Sequence, residues 1–185
     1  MLRTLVCAMV LGTVLLRPIP SYALFHIAVI DEVGTNIGGD PAASYVEIRM
    51  LVGAQTVTAN SVLTAFDCAG TATDLLVVPS NITTGGANVH WIMMSTAAAA
   101  AVTGMTADFT YAGTFSATCG QVCWGAPGVV PPLPGTWNHT LPANFVDCVS
   151  WGPYTGATKV GAAASTGTPD ATYSLTRGLS TFDPA

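Results

Sequence analysis

The stretch SYVEIRMLV, residues 44–52, alternates without a break. Val46, Ile48, Met50 and Val52 fall on one side, and Tyr45, Glu47 and Arg49 on the other. Successive side chains of a strand point to opposite faces, so a period of two predicts a strand with one buried face. Working outward, the run FHIAVIDEV (25–33) ahead of it is apolar on both faces, as a central strand is. Behind it come SVLTAFD (61–67), DLLVVP (74–79), NVHWIMMS (88–95), DFTYAG (108–113), GQVCW (120–124), FVDCVSW (145–151) and ATYSLTR (171–177). Each is short and bounded by Gly, Pro, Asn or Thr, the spacing of a β-sandwich or barrel. One segment departs from the pattern. STAAAAAVTGM (95–105) predicts a short helix, with Ser95 or Thr96 to cap its start and Gly104 to end it. The Pro-rich segment 125–144 cannot be a strand and reads as a long surface loop.

The bulk numbers agree with an all-β chain. Its 185 residues suit a single domain, with no internal repeat and no boundary. Charged residues make up only 8%, against a usual share of about 25%. The 19 Gly and 12 Pro supply many turns. Residues 1–23, MLRTLVCAMVLGTVLLRPIPSYA, have the layout of a cleaved secretory signal. Arg3 gives the positive start, and Leu5 to Leu16 the apolar run. Pro18 and Pro20 break it, and Ser21-Tyr22-Ala23 gives the small residues of a cleavage site. The apolar run falls short of the roughly 20 residues of a membrane span. Cys7 lies near the start of that run instead of following it, which excludes a lipoprotein signal. The expectation is a signal peptide at 1–23, a domain at 24–185, and secretion or cell-surface display.

Loss of Arg3 and Arg17 with the signal leaves three basic residues against ten acidic, a net charge of −7. A nucleic-acid partner needs basic phosphate contacts, and Arg49, Lys159 and Arg177 are too few. An anionic membrane surface is disfavoured on the same ground, and no later segment is long enough for an integral span.

Four cysteines remain: Cys68, Cys119, Cys123 and Cys148. An even number in an exported chain favours disulfides, with three pairings open. The spacing of Cys119 and Cys123 finds no matching histidine spacing for zinc. If extended, that pair would stand about 13 Å apart at about 3.3 Å per residue, beyond the roughly 7 Å a disulfide tolerates. GQVCWG (120–125) and VDCVSWG (146–152) both read as strands with Cys followed by Trp and Gly. Cys123 with Cys148 is therefore the preferred bond, and Cys68 with Cys119 the second.

The order of these pieces resembles the lamin-tail domain family. HIAVIDEV, a loop and SYVEIRML look like that family's opening strands. VHWIMMSTAAAAAVTGMTADFTYAG looks like its apolar strand, short Ala-rich helix and Asp-Phe strand, FVDCVSWG like its Asp-x-Val-x-aromatic-Gly strand, and YSLTR like its closing Ser-Leu-x-Arg. The resemblance covers most of residues 24–180. It implies an immunoglobulin-like β-sandwich with one short helix, exported in its bacterial members, acting as an interaction module with no catalytic residues. The cysteines, the Pro-rich loop and the end at STFDPA depart from the family, and for the last the readings are a truncation or a fragmentary gene model.

The chain carries no nucleophile, phosphate or metal motif of known spacing. Glu32 and Glu47 are the one candidate acid/base pair, as in glycosidases. A solvated pair beside Arg49 explains them as well. His26, His90 and His139 are scattered. Asp31, Asp40, Asp67 and Asp74 do not make the spaced acidic loop of a calcium site. Trp124, Trp137, Trp151 and Tyr154 lie near the cysteine strands, where they either contact a sugar or protein ligand or pack over the disulfide. Asn81-Ile82-Thr83 and Asn138-His139-Thr140 are glycosylation sequons. The expectation is a cofactor-free interaction module for a protein or polysaccharide surface. A carbohydrate-binding module and a hydrolase with an acidic pair are the alternatives.

Overall fold

Alternating strands pack their apolar faces together, and this chain does so in two layers. The computed structural model describes residues 27–83, 91–126, 137–157 and 174–176. Its strands are β1 (Ala28–Thr35), β2 (Ser44–Met50), β3 (Val62–Phe66), β4 (Ala72–Val77), β5 (Trp91–Ser95), β6 (Phe109–Thr110), β7 (Gly120–Gly125), β8 (Phe145–Trp151) and β9 (Leu175–Thr176). One sheet runs β6-β5-β2-β1-β9 and the other β4-β3-β7-β8. Neighbours are antiparallel except β5 and β6, which are parallel. The chain is an all-β sandwich. The expected signal segment, His26, His90, Lys159, Arg177 and most of the Pro-rich loop lie outside the described residues.

The core follows from the period of two. Ile30, Val33, Val46, Ile48, Met50 and Met94 of the first sheet meet Leu63, Val122, Trp124 and Trp151 of the second, all with exposures of 0%. Burying each such side chain stabilises by roughly 1.5–3 kcal/mol relative to exposure. The alternation of residues 44–52 ends one pair early. β2 stops at Met50, and Val52 is 40% exposed. The opposite side of β2 is also less wet than its polarity suggests, since Tyr45, Glu47 and Arg49 are half-buried.

Bulges re-aim side chains where strict alternation would fail. In β1 the register passes from Ile30↔Ile48 to Glu32↔Glu47, leaving Asp31 as the extra residue. Without it Glu32 would follow Ile30 into the core. With it, Val33 takes that place, Glu32 turns to the outer face and Asp31 stays buried beside Arg49. In β8 Val146 is the extra residue between Asp147, opposite Trp124, and Phe145, opposite Gly125. Asp147 then points between the sheets, where its Oδ2 accepts the Ile30 N–H at 2.7 Å with 4% exposure. That contact ties the β8 edge to β1. In β4 the extra residue is Leu75, between Leu76 opposite Leu63 and Asp74 opposite Thr64.

The helix forms where the alanines predict. α1 covers Ala97–Thr103, and Thr96 is its N-cap, accepting the Ala99 N–H at 3.1 Å. Gly104 closes it at φ +71, the left-handed conformation that glycine adopts without a Cβ penalty.

Candidate functional site

The outward face of the four-stranded sheet carries the disulfide that marks the site. Cys123 and Cys148 are register partners on β7 and β8, with Cα atoms 4.1 Å apart, and they are bonded. Directly opposed residues of an antiparallel pair come this close at the non-hydrogen-bonded positions. Cys68 is bonded to Cys119 across 5.1 Å, joining the turn after β3 to the residue before β7. The inner bond has no exposure. Phe66, Phe145, Trp137, Tyr154 and Ala72 cover it as a second apolar cluster, apart from the main core. Trp137 stands edge-on to Phe145 at 5.3 Å and 88°, and Phe66 meets Phe145 at 6.0 Å.

This geometry divides the four aromatics named as ligand contacts. Trp124 and Trp151 are wholly buried, in the main core on the opposite side of their strands from the cysteines. Neither can touch a ligand without unfolding, so the structure removes them from the candidate surface. The reason is parity. Trp124 is one residue from Cys123 and Trp151 three from Cys148, and odd separations in a strand place side chains on opposite faces. Trp151 also donates its indole N–H to the Ser116 carbonyl at 2.9 Å. Trp137 and Tyr154 remain partly buried around the disulfide. The Tyr154 hydroxyl reaches Gln121 Oε1 at 3.4 Å and the Ala157 carbonyl at 3.3 Å. Burial and the nearby Asp67 charge push its phenol upward. The covering residues Phe66 and Phe145 were not singled out by sequence. Phe145 sits on the cysteine side only because the Val146 bulge shifts it there.

The second candidate lies on the outward face of the five-stranded sheet. Glu32 and Glu47 are register partners, so the carboxylates of the possible acid/base pair are cross-strand neighbours. Glu32 Oε1 accepts hydrogen bonds from the Tyr45 hydroxyl at 2.7 Å and from the Ser174 hydroxyl. It thereby fastens the residue that leads into β9. Burial, reinforced by the hydrogen bond to Glu32, pushes the Tyr45 phenol up to about 12. Asp31, at the bulge, pairs with Arg49 at 3.3 Å. Desolvation, then the charges of Glu32 and Asp31, push the Glu47 carboxyl up.

That direction gives a pH-dependent prediction. A carboxyl raised in the folded state favours folding below its unfolded value, about 4.3, and loses this contribution as pH rises through the folded value. Glu47→Gln should therefore stabilise the protein at pH 7 by roughly 0.2–1 kcal/mol, the scale of a like-charge cross-strand pair at a partly solvated site. The gain should vanish below pH about 4. Urea denaturation of both proteins at several pH values measures it, and a variant less stable at pH 7 would refute the repulsion.

The other acids serve local structure. Asp67 Oδ1 takes the Ala69 and Thr71 N–H groups at 2.9 and 2.8 Å, which holds its carboxyl below the ordinary value. Asp40 Oδ1 takes the Ala42 N–H at 2.8 Å. Asp74 accepts the Thr64 hydroxyl at 2.6 Å, with His139 Nδ1 4.0 Å away. Among the described residues no three His, Cys, Asp or Glu side chains converge as a metal site. Both sequon asparagines, Asn81 and Asn138, are exposed. Among the described residues no helix is long and apolar enough to cross a membrane. Comparison with protein-family models, curated proteins and solved structures finds no match to this chain.

Proposed function

We propose that this chain is an exported, non-catalytic interaction module, an immunoglobulin-like sandwich of the lamin-tail type that works at a protein or polysaccharide surface. The observation that carries the reading is the pair of disulfides, Cys68–Cys119 and Cys123–Cys148. Such bonds persist in oxidising compartments and are rare in the cytosol. The lamin-tail resemblance is supported by the order of its motifs, which fall on β1, β2, β5-α1-β6 and β8 in sequence. The polar groups that could do chemistry are occupied structurally. Glu32 holds Tyr45 and Ser174, Asp147 holds Ile30, and Asp31 holds Arg49.

A carbohydrate-binding role is the second reading, favoured by the only partly buried Trp137 and Tyr154 in that cluster. One set of measurements separates the readings. The full chain, expressed in a secreting host, should yield mature protein beginning at Leu24, and intact Met1 in a soluble cytoplasmic product would defeat export. Titration with soluble polysaccharides should leave the fluorescence unchanged if the ligand is a protein. Binding that Trp137→Ala and Tyr154→Ala abolish would establish the carbohydrate role instead. A hydrolytic activity lost in Glu32→Gln or Glu47→Gln would overturn both.

A further inference from the structure

The two disulfides differ in access, and one turn connects them. Cys123 and Cys148 have no exposure and Cys119 is 5% exposed, while Cys68 is only partly buried. The turn at residues 152–156, directly after β8, rests on both halves of the outer bond. Gly152, at φ +58, packs so closely on Thr118 and Cys119 that an added Cβ would collide with the Thr118 carbonyl. Thr155 donates its N–H and its hydroxyl to the Cys68 carbonyl at 2.9 and 3.0 Å. Gly156 lies against Gly70, and a Cβ on Gly70 would stand 2.8 Å from the Gly156 Cα. Tyr154, carried by the same turn, is one of the side chains that cover Cys123–Cys148.

We propose that Cys68–Cys119 is a reducible clasp that gates the buried Cys123–Cys148 bond, so that a dithiol reductant opens the two in fixed order. The reductant's thiolate attacks Sγ of Cys68, the least buried residue of the four. The S–S bond breaks, and Cys119 Sγ leaves with the electron pair and takes up a proton. Thr118 Oγ1, 3.8 Å from that sulfur, is placed to donate to it. The reductant's second thiolate then displaces Cys68, which leaves as a thiol, and the reductant departs as a disulfide. Two electrons pass to the protein. The Cys68 turn and the Cys119 segment are then no longer joined, and the turn resting on both loses its common platform. Tyr154 moves with it, and the inner sulfurs become reachable for a second exchange of the same form. Access decides the order here because exchange needs the attacking thiolate to reach sulfur.

Native protein treated with dithiothreitol, sampled over time, quenched with N-ethylmaleimide and mapped by peptide mass tests this. A species alkylated only at Cys68 and Cys119 should accumulate before any label reaches Cys123 or Cys148. Tyr154→Ala, which keeps both disulfides, should speed labelling of the inner pair at least tenfold, as should Cys68→Ala with Cys119→Ala. Label on Cys123 and Cys148 first, or on all four together from the start, overturns the proposal. So does an unchanged inner rate in Tyr154→Ala, a variant that remains informative if the double alanine variant does not fold.

Discussion

Replacing Cys68, Cys119, Cys123 and Cys148 together by alanine is expected to lower stability by roughly 7 kcal/mol. The two closed loops span sequence separations of 51 and 25 residues and do not overlap. In the chain-entropy account they contribute about 4 and about 3 kcal/mol, and separate loops add. A domain is typically stable by only roughly 5–15 kcal/mol, so the cysteine-free chain should be largely or marginally unfolded at 25 °C. Alanine avoids placing a hydroxyl or a stray thiol inside the Phe66–Phe145 cluster. Circular dichroism through a urea titration, with each double variant measured beside the fourfold one, reads the two contributions separately. A fourfold variant within about 1 kcal/mol of the native chain would mean that the sandwich core alone carries the fold.

Trp151→Ala should destabilise by about 3–5 kcal/mol, the range for a large aromatic removed from a close-packed core. Trp151 has no exposure, meets Phe115 at 6.1 Å in an edge-on contact and satisfies the Ser116 carbonyl. For a chain of this size that is a fall of roughly 6–20 °C in melting temperature. Trp151→Phe keeps most of the packing and should lose far less. Trp137→Ala removes an edge-on pair worth about 0.5–1.5 kcal/mol with part of its burial, and should sit well below Trp151→Ala. If the two tryptophan variants lost stability equally, the division into a core indole and a covering indole would be wrong.

The layers of the sandwich were legible in the sequence because the apolar residues repeat with the strand period. The Ala-rich helix was legible because Thr96 and Gly104 bracket it with residues suited to its two ends. The cysteine pairing followed from two matching strands, which lie side by side as β7 and β8. What did not show was the side to which the residues of β7 and β8 turn. Cys123 and Trp124 are adjacent, so a disulfide on one face sends the indole to the other. Taking them as one group hid that consequence. The three bulges were also hidden, since an inserted residue has no composition of its own. Only the acids at positions 31 and 32, where alternation demands a core residue, hinted at the first. The partnership of Glu32 with Glu47 depends on that single insertion.

The Leu75 bulge reaches beyond the fold of one molecule. Among the described residues β4 is the outermost strand of its sheet, with Val77 59% exposed, no lysine or proline along it and Asp74 as its one charge. A flat strand of that composition would invite another chain to add on, the first step toward fibrils. Leu75 interrupts the regular spacing of amides and carbonyls midway, and an incoming strand in step at Thr73 would be out of step at Val77. In a chain so poor in charge, the break against strand addition is thus built into the backbone of the strand itself.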